Sequence, residues 1–353
     1  MDGETAPPRP VIQPERRDPP KLRVIEGGRS DATGFEALLK LTGQSAPDRL
    51  VLTPEQLDRE SWLADRVLEH FRKNRPAPSA LPAVSLQVLN LVAEPDLSLA
   101  ELSRVVSQDP AFSAAILKVA NSPAYAGAQE IATLRDAVSR LGLVEVGRVA
   151  GTVSARSLFQ PQVRSEFASF GTRWADMFSE AVAAARGAAW LCLRLRKARS
   201  DHAFLAGILH DLGRSVALRS VAALQQHDKL FDLEGTEVDR VVERVHVEIG
   251  GEVHADWSLP RFPTLVAMRH HELGLPGDGE YIDVHAVRLS SALVQFQRQP
   301  WRAPQVRAEV DESCAALHLD GFVLRSLMTQ LRTELDTVNH AFKKLPLAHV
   351  RAR

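Results

Sequence analysis

Apolar residues recur at intervals of three and four along most of the chain, the spacing that lines one face of an α-helix. Leu99, Leu102, Val105 and Val106 form one such stripe, with Ser98 and Glu101 placed as a capping box at its start. Phe112, Ile116, Leu117 and Val119 form the next, opened by Asp109-Pro110 and closed by Asn121-Ser122-Pro123. Thr133 and Asp136 begin a third, which runs through Ala137, Val138 and Leu141 to Gly142. The same period predicts helices over residues 174–196, 204–218, 236–257, 263–271, 284–296 and 319–342. Nowhere do polar and apolar residues alternate between hairpin-type turns, so the pattern predicts an all-α fold, a multi-helix bundle with short connections.

The two ends of the chain depart from this regularity. Residues 1–33 are proline-rich and set Arg16, Arg17, Lys21 and Arg23 among Asp2, Glu4, Glu15 and Asp18, which reads as a disordered tail. Residues 34–75 carry a sparser pattern, Phe35, Leu38 and Leu39 followed by Trp62, Leu63, Val67, Leu68 and Phe71, expected of a helical lead-in or adaptor segment. A proline-rich stretch at 76–82 opens the main body. Residues 276–353 form a helical extension whose stripe of Leu319, Phe322, Leu324, Leu327, Met328, Leu331, Leu335 and Val338 is expected to pack on the bundle.

Composition narrows the functional classes. The chain has 353 residues, 45% of them hydrophobic, enough for substantial buried cores. Its 43 Lys and Arg against 44 Asp and Glu leave a formal charge of -1, so no global field draws it to nucleic acid or an anionic membrane. Arg194, Arg196, Lys197 and Arg199 cluster where a long alanine-rich helix should end, a position that the helix dipole favours for cations without any nucleic-acid partner. Gly142, Gly147 and Gly151 follow no strand and are expected to allow close helix packing rather than to cradle a phosphate. Cys192 and Cys314 are far apart, which excludes a disulfide scaffold and a thiolate zinc cage. The proline-broken start lacks a signal-peptide pattern, and apolar runs such as 187–193 end at charges well short of the ~20 residues of a membrane span, so a cytoplasmic location is expected.

Two ordered stretches carry more than periodicity. The first combines Leu81-Pro82, Val84, Leu86, Leu89 and Leu91 with Ser107-Gln108-Asp109-Pro110-Ala111, Ile116-Leu117-Lys118-Val119-Ala120-Asn121-Ser122 and Tyr125. The second is Ala203-Phe204-Leu205-Ala206-Gly207-Ile208-Leu209-His210-Asp211-Leu212-Gly213, then His246, Glu248 and Gly250, Trp257 to Pro260, and His270-His271. Together, over residues 76–275, they resemble the HDOD domain, the HD-related output domain of bacterial signalling proteins. The resemblance implies a helical module related to the HD metal-dependent phosphohydrolases, itself regarded as regulatory. The Gln-Asp-Pro and Ala-Asn-Ser motifs of the first stretch coincide with helix ends, which accounts for them architecturally, with Asn121 also a ligand-pocket candidate.

An active HD site draws a His from an earlier helix, the adjacent His-Asp pair and a later Asp onto a metal that activates water. His210 and Asp211 match the central pair. The resemblance aligns Phe178 with the earlier His and Ser290 or Ser291 with the later Asp, and neither side-chain type is a competent ligand. With the set short by two, no catalytic residue, metal or other cofactor is assigned; His210, Asp211 and His246 are the residues that would hold an ion if one bound. His210 and Asp211 are expected to form a hydrogen-bonded core pair, with His246, His270 and His271 around the same polar pocket. Adjacent helical residues point about 100° apart, so His270 and His271 reach one site only with the help of a helix end. The expected function is a non-catalytic signal-transduction module that binds a signalling protein, with a small ligand and a homodimer as further candidates and no membrane or nucleic-acid partner. The alternative is a metal-dependent phosphohydrolase of the HD type acting on a nucleotide or cyclic dinucleotide.

Overall fold

The computed structural model describes residues 34–42, 52–75, 87–88, 90–91, 94, 96–122, 125, 127, 129–161, 164–196, 198–227, 233, 235–298 and 303–342. Among the described residues every regular element is helical and no strand occurs, as the hydrophobic period predicts. The expectations for 1–33 and 76–82 lie outside the described residues. None of the described helices is long and apolar enough to cross a membrane.

Three apolar clusters organise the fold. One joins α3 (Leu99–Val106), α4 (Pro110–Ala120) and α5 (Leu134–Arg156) through Leu102, Val106, Phe112, Ile116, Ala137, Val146 and Ala150. Local chemistry sets its element ends: the Ser98 hydroxyl accepts the Glu101 N–H at 3.1 Å, and the Thr133 hydroxyl accepts that of Asp136 at 3.1 Å. Gly142, with φ 72° and ψ 168°, breaks α5 where the sequence pattern ends its helix, a conformation that a residue with a Cβ adopts only with strain. Close packing, expected of all three glycines in this segment, holds for Gly151, whose absent Cβ would lie 3.3 Å from the Phe204 ring.

The long α6 (Arg164–Leu195), broken at Phe170, is the common wall of the other two clusters. One gathers its Trp174, Phe178 and Val182 with α2 (Pro54–Lys73), α7 (Ser200–Leu209), α8 (Leu212–His227) and α9 (Thr236–Asp256). The other gathers its Ala188, Leu191 and Cys192 with α1 (Gly34–Thr42), α11 (Tyr281–Arg298), α12 (Ala303–Leu317) and α13 (Gly321–Phe342). Between them runs α10 (Arg261–Arg269), which adds Val266 to the second. Small residues bring α6 and α7 together: a Cβ on Gly207 would stand 2.5 Å from the Ala185 Cα.

Besides α5, which runs on past Gly142 to Arg156, and α6, which starts at Arg164, two departures from the sequence expectation bear on the site. The single helix expected over 204–218 is α7 and α8, with His210 and Asp211 in the turn between them. The apolar period hid the break because Leu205, Ile208, Leu209, Leu212 and Val216 bury into the same core on both sides of it. Helix α12 was not anticipated, although Val306, Val310, Cys314 and Leu317 form its buried stripe.

The closest helix contact in this half of the fold is at Gly213, near the start of α8. A Cβ there would fall 1.9 Å from the His246 carbonyl oxygen and 2.7 Å from the Gly250 nitrogen, both backbone atoms of α9 that cannot move aside alone. Gly213→Ala is expected to destabilise the chain by about 3 kcal/mol, the upper range of overpacking, in denaturant unfolding. Gly251→Ala, whose methyl would meet only the flexible Met268 side chain, is expected to stay within about 1 kcal/mol of wild type because alanine also favours the helix. Equal effects of the two would contradict the role of Gly213 as the contact point.

Candidate functional site

Four helix ends and faces converge on a cluster of imidazoles around one carboxylate. His210 and Asp211 occupy the α7–α8 turn, His246 faces inward from α9, His270 caps the C-terminus of α10 and His271 follows it. The end of α10 answers the difficulty of adjacent histidines: beyond the last helical residue the backbone turns, and the two rings lie with centroids 4.1 Å apart. Of the sequence candidates, His210, Asp211, His246, His270 and His271 are therefore brought together. Asn121 is not: its amide donates to the Ile131 carbonyl and accepts the Ile131 N–H, both at 2.8 Å, and closes the α4–α5 connection.

Backbone carbonyls fix which ring nitrogen carries the proton. The Nδ1 atoms of His210, His246 and His270 face the carbonyls of Gly207 at 2.7 Å, Glu243 at 2.6 Å and Ala267 at 3.0 Å, so each donates through Nδ1–H. Each Nε2 is then a bare lone pair pointing inward. For His210 the lone pair accepts the Ser291 hydroxyl proton at 3.0 Å. Those of His246 and His270 face each other at 3.3 Å and face Asp211 Oδ1 at 3.5 and 3.4 Å. Three acceptors thus form a triangle without a proton, and Asp211 Oδ1 finds no hydrogen-bond donor. His210 and Asp211 lie together in the core as expected, Nε2 3.3 Å from Oδ2; His210 is also held by Gly207 and Ser291, and Arg214 forms an ion pair with the carboxylate, its Nε 3.2 Å from Oδ2.

Electrostatics keeps the triangle in that state. Burial alone would raise the Asp211 carboxyl, but the charge of Arg214 and the neighbouring His210 hold it well below the usual range. Burial, reinforced by Arg214, pushes His246 far below its ordinary value, and burial pushes His270 down to about 3. A carboxylate and two neutral imidazoles therefore share one buried space at neutral pH. His210, Asp211, His246 and His270 are each no more than 5% exposed.

The two positions of the expected catalytic set are filled by other chemistry. Phe178 is core, its ring 6.2 Å from that of Phe159, and Ser291 serves as the donor to His210 while Gln295 donates to its oxygen at 3.2 Å. Sequence reading missed Arg214, Glu243 and Glu309. Arg214 bonds Glu243 as well as Asp211, and His271 donates through Nδ1 to Glu309 at 2.6 Å with Nε2 3.5 Å from Glu243. The spacing of Glu243 and His246, three apart on one helix, was the available signal for the first pair; nothing local marks Glu309, which belongs to α12.

The HDOD domain family matches residues 79–273. Solved structures of similar fold include an HDOD domain protein of unknown function from Geobacter sulfurreducens, at 20% identity with a TM-score of 0.57 over 80% of this chain and 99% of that one. A proposed metal-dependent phosphohydrolase from Shewanella amazonensis SB2B has 21% identity and a TM-score of 0.54 over 78% and 99%. A proposed signal transduction protein from Marinobacter aquaeolei VT8 has 22% identity and a TM-score of 0.56 over 86% and 71%. An uncharacterized protein of Treponema pallidum (strain Nichols) is 26% identical over 206 residues, 55% of this chain and 37% of that relative, so the chain spans little more than a third of its length.

Beside the cluster, His254 of α9 bonds the Leu209 carbonyl and the Thr264 hydroxyl, each at 3.3 Å, and burial pulls it down to about 4. In the unfolded chain this group binds its proton near 6.5, so folding excludes a proton between the two values. Its stabilising contribution is complete above pH 6.5 and is lost as pH falls toward 4, by roughly 3 kcal/mol. Denaturant unfolding across that window is expected to show a decline that is shallower by one proton in His254→Gln; parallel curves would refute the assignment.

Proposed function

The chain belongs to the HDOD family, and we propose that it acts there as a regulatory signal-transduction module whose buried histidine cluster holds a cation for structure rather than for hydrolysis. Its output is the binding of a signalling protein partner. The observation that carries this reading is the sealing of the cluster: four of its members are almost wholly inaccessible, and the side chain that reaches furthest out, His271, is itself only 24% exposed. A phosphate ester has to contact the attacking water and the metal at once, and residues this deeply buried offer it little access. Phe178, and Ser290 or Ser291, where the resemblance to active HD sites implies a His and an Asp, support the same reading.

The residues fit a divalent ion of the transition series. Asp211 Oδ1 is buried without a donor, and the His246 and His270 lone pairs meet it in one place, with His210 alongside. A set richer in imidazole than in carboxylate suits zinc, nickel or iron rather than magnesium or calcium. Once bound, the ion supplies the positive charge that the triangle lacks and ties together the helices carrying these groups. The chain's own part is to hold three Nδ1 protons on backbone carbonyls, so that every Nε2 is presented unprotonated.

Metal analysis of the purified full chain and a screen for phosphate release from phosphomonoesters, nucleotides and cyclic dinucleotides, with manganese or nickel added, test the reading. The expected outcome is ion binding without turnover above that of His210→Ala and Asp211→Ala. At free ion concentrations near 100 times Kd, binding should stabilise the fold by about 2.7 kcal/mol, and His246→Ala or His270→Ala should remove that gain. Turnover that vanishes in both the His210 and Asp211 variants would establish the phosphohydrolase alternative instead.

A further inference from the structure

The turn that carries His270 and His271 is gripped from outside the family match. On α12, Glu309, Glu312 and Ala316 follow one another at three and four residues and share a helix face. Glu309 accepts the His271 Nδ1 proton at 2.6 Å. Glu312 accepts the Gly274 backbone N–H at 2.7 Å and pairs with Arg288 of α11, also at 2.7 Å. The Arg288 side chain is fully buried, donates to the His270 carbonyl at 2.7 Å, and also bonds the Glu272 carbonyl. Further along, a Cβ on Gly277 would stand 2.7 Å from the Ala316 carbonyl, so the loop is pressed against the same face of α12.

These contacts have a direction. Arg288 takes up the carbonyls at the end of α10, the groups that a helix terminus leaves unpaired, and Glu312 holds Arg288 in place. Glu309 orients the His271 ring, which lies tilted beside that of His270. The second apolar cluster takes its α12 contribution from Val306, Val310, Cys314 and Leu317 instead.

From this geometry we infer that Glu309, Glu312 and Arg288 are positioning residues for the histidine cluster, so that α12 controls its affinity for a divalent cation. The inference rests on the cation-binding reading above. It makes the extension a regulatory element: an event that lifts α12 would release the His270–His271 turn and withdraw one vertex of the acceptor triangle, leaving Asp211 and His246 in place.

The test uses the full chain, zinc titrated in competition with a chromogenic chelator, and histidine ring signals recorded by long-range proton–nitrogen NMR without metal. Glu309→Ala and Glu312→Ala should each weaken zinc binding 10- to 100-fold, as loss of groups that orient metal ligands does. Glu309→Gln keeps an acceptor for the Nδ1 proton and should stay close to wild type. Asp311→Ala supplies the control, because Asp311 sits on the same helix but accepts the Phe35 N–H of α1, and zinc affinity should not change. Unchanged affinity in both alanine variants, or an equal loss in Asp311→Ala, would overturn the inference. If the wild type takes up no zinc, the cation reading fails, and the metal-free spectra decide alone: His270 ring signals that move in Glu309→Ala and Glu312→Ala but not in Asp311→Ala support positioning, and signals that stay in place refute it.

Discussion

The backbone contact between Gly213 and His246 is the constraint on which the cluster depends. Helix α8 begins directly after Asp211, so wherever its first turn lies, the carboxylate is carried with it. The His246 carbonyl packs against the one residue in that turn without a side chain, and the imidazole of the same residue is thereby delivered to Asp211. Any larger residue at 213 would separate the helices by the width of a methyl group, more than the distance by which a hydrogen bond or a ligand contact can stretch. The glycine after the His-Asp pair is therefore a condition for the geometry of the site, although it has no polar group to contribute.

Bringing these groups together has a large electrostatic cost, and the way it is met explains the missed residues. A buried carboxylate with two bare imidazole lone pairs is unfavourable in a medium that cannot solvate it. Arg214 offsets part of the cost from one side, and Glu243 in turn compensates Arg214. Such networks are seldom a net source of stability, since each ion gives up its hydration, but removal of one member strands the others. A divalent ion in the triangle would complete the compensation that Arg214 only begins, since the guanidinium reaches Oδ2 and not Oδ1.

Much of the fold could be read from the chain because helical burial is periodic and helix ends carry their own signals. Ser98 and Thr133 cap as their positions suggest, and Gly142 breaks the chain where the apolar stripe stops. The break at His210 and Asp211 could not be read, because a hydrophobic period reports which core a residue enters and not whether the helix is continuous. Histidines 210, 246, 270 and 271 were legible as a group, since polar residues set in apolar runs must find one another. Their protonation was not, because it is decided by carbonyls of Gly207, Glu243 and Ala267, atoms that every residue possesses and no sequence pattern marks. Glu309 and Glu312 were illegible for a different reason: their partners lie 24 to 38 residues away in the chain and are chosen by how α12 packs.

The same packing explains why the extension cannot be treated as a separable appendage. Arg186 of α6, partly buried, lies between Glu145 of α5 at 3.0 Å and Glu334 of α13 at 3.3 Å, so one guanidinium joins the α3–α5 lobe to the last described helix. Displacing α13 would leave Arg186 half compensated and draw on Glu145, whose other neighbour, Arg148, stands further off at 3.6 Å. Helices α12 and α13 share one apolar cluster, so a shift of either is resisted at both places: at the histidine turn by Glu309 and Glu312, and at the lobe by Arg186. Close-packed interfaces yield by switching between arrangements rather than by gradual deformation. A disturbance of the extension would therefore be felt at the cluster and at the α3–α5 lobe together, the two being joined as well through α7, where Gly151 of α5 meets Phe204.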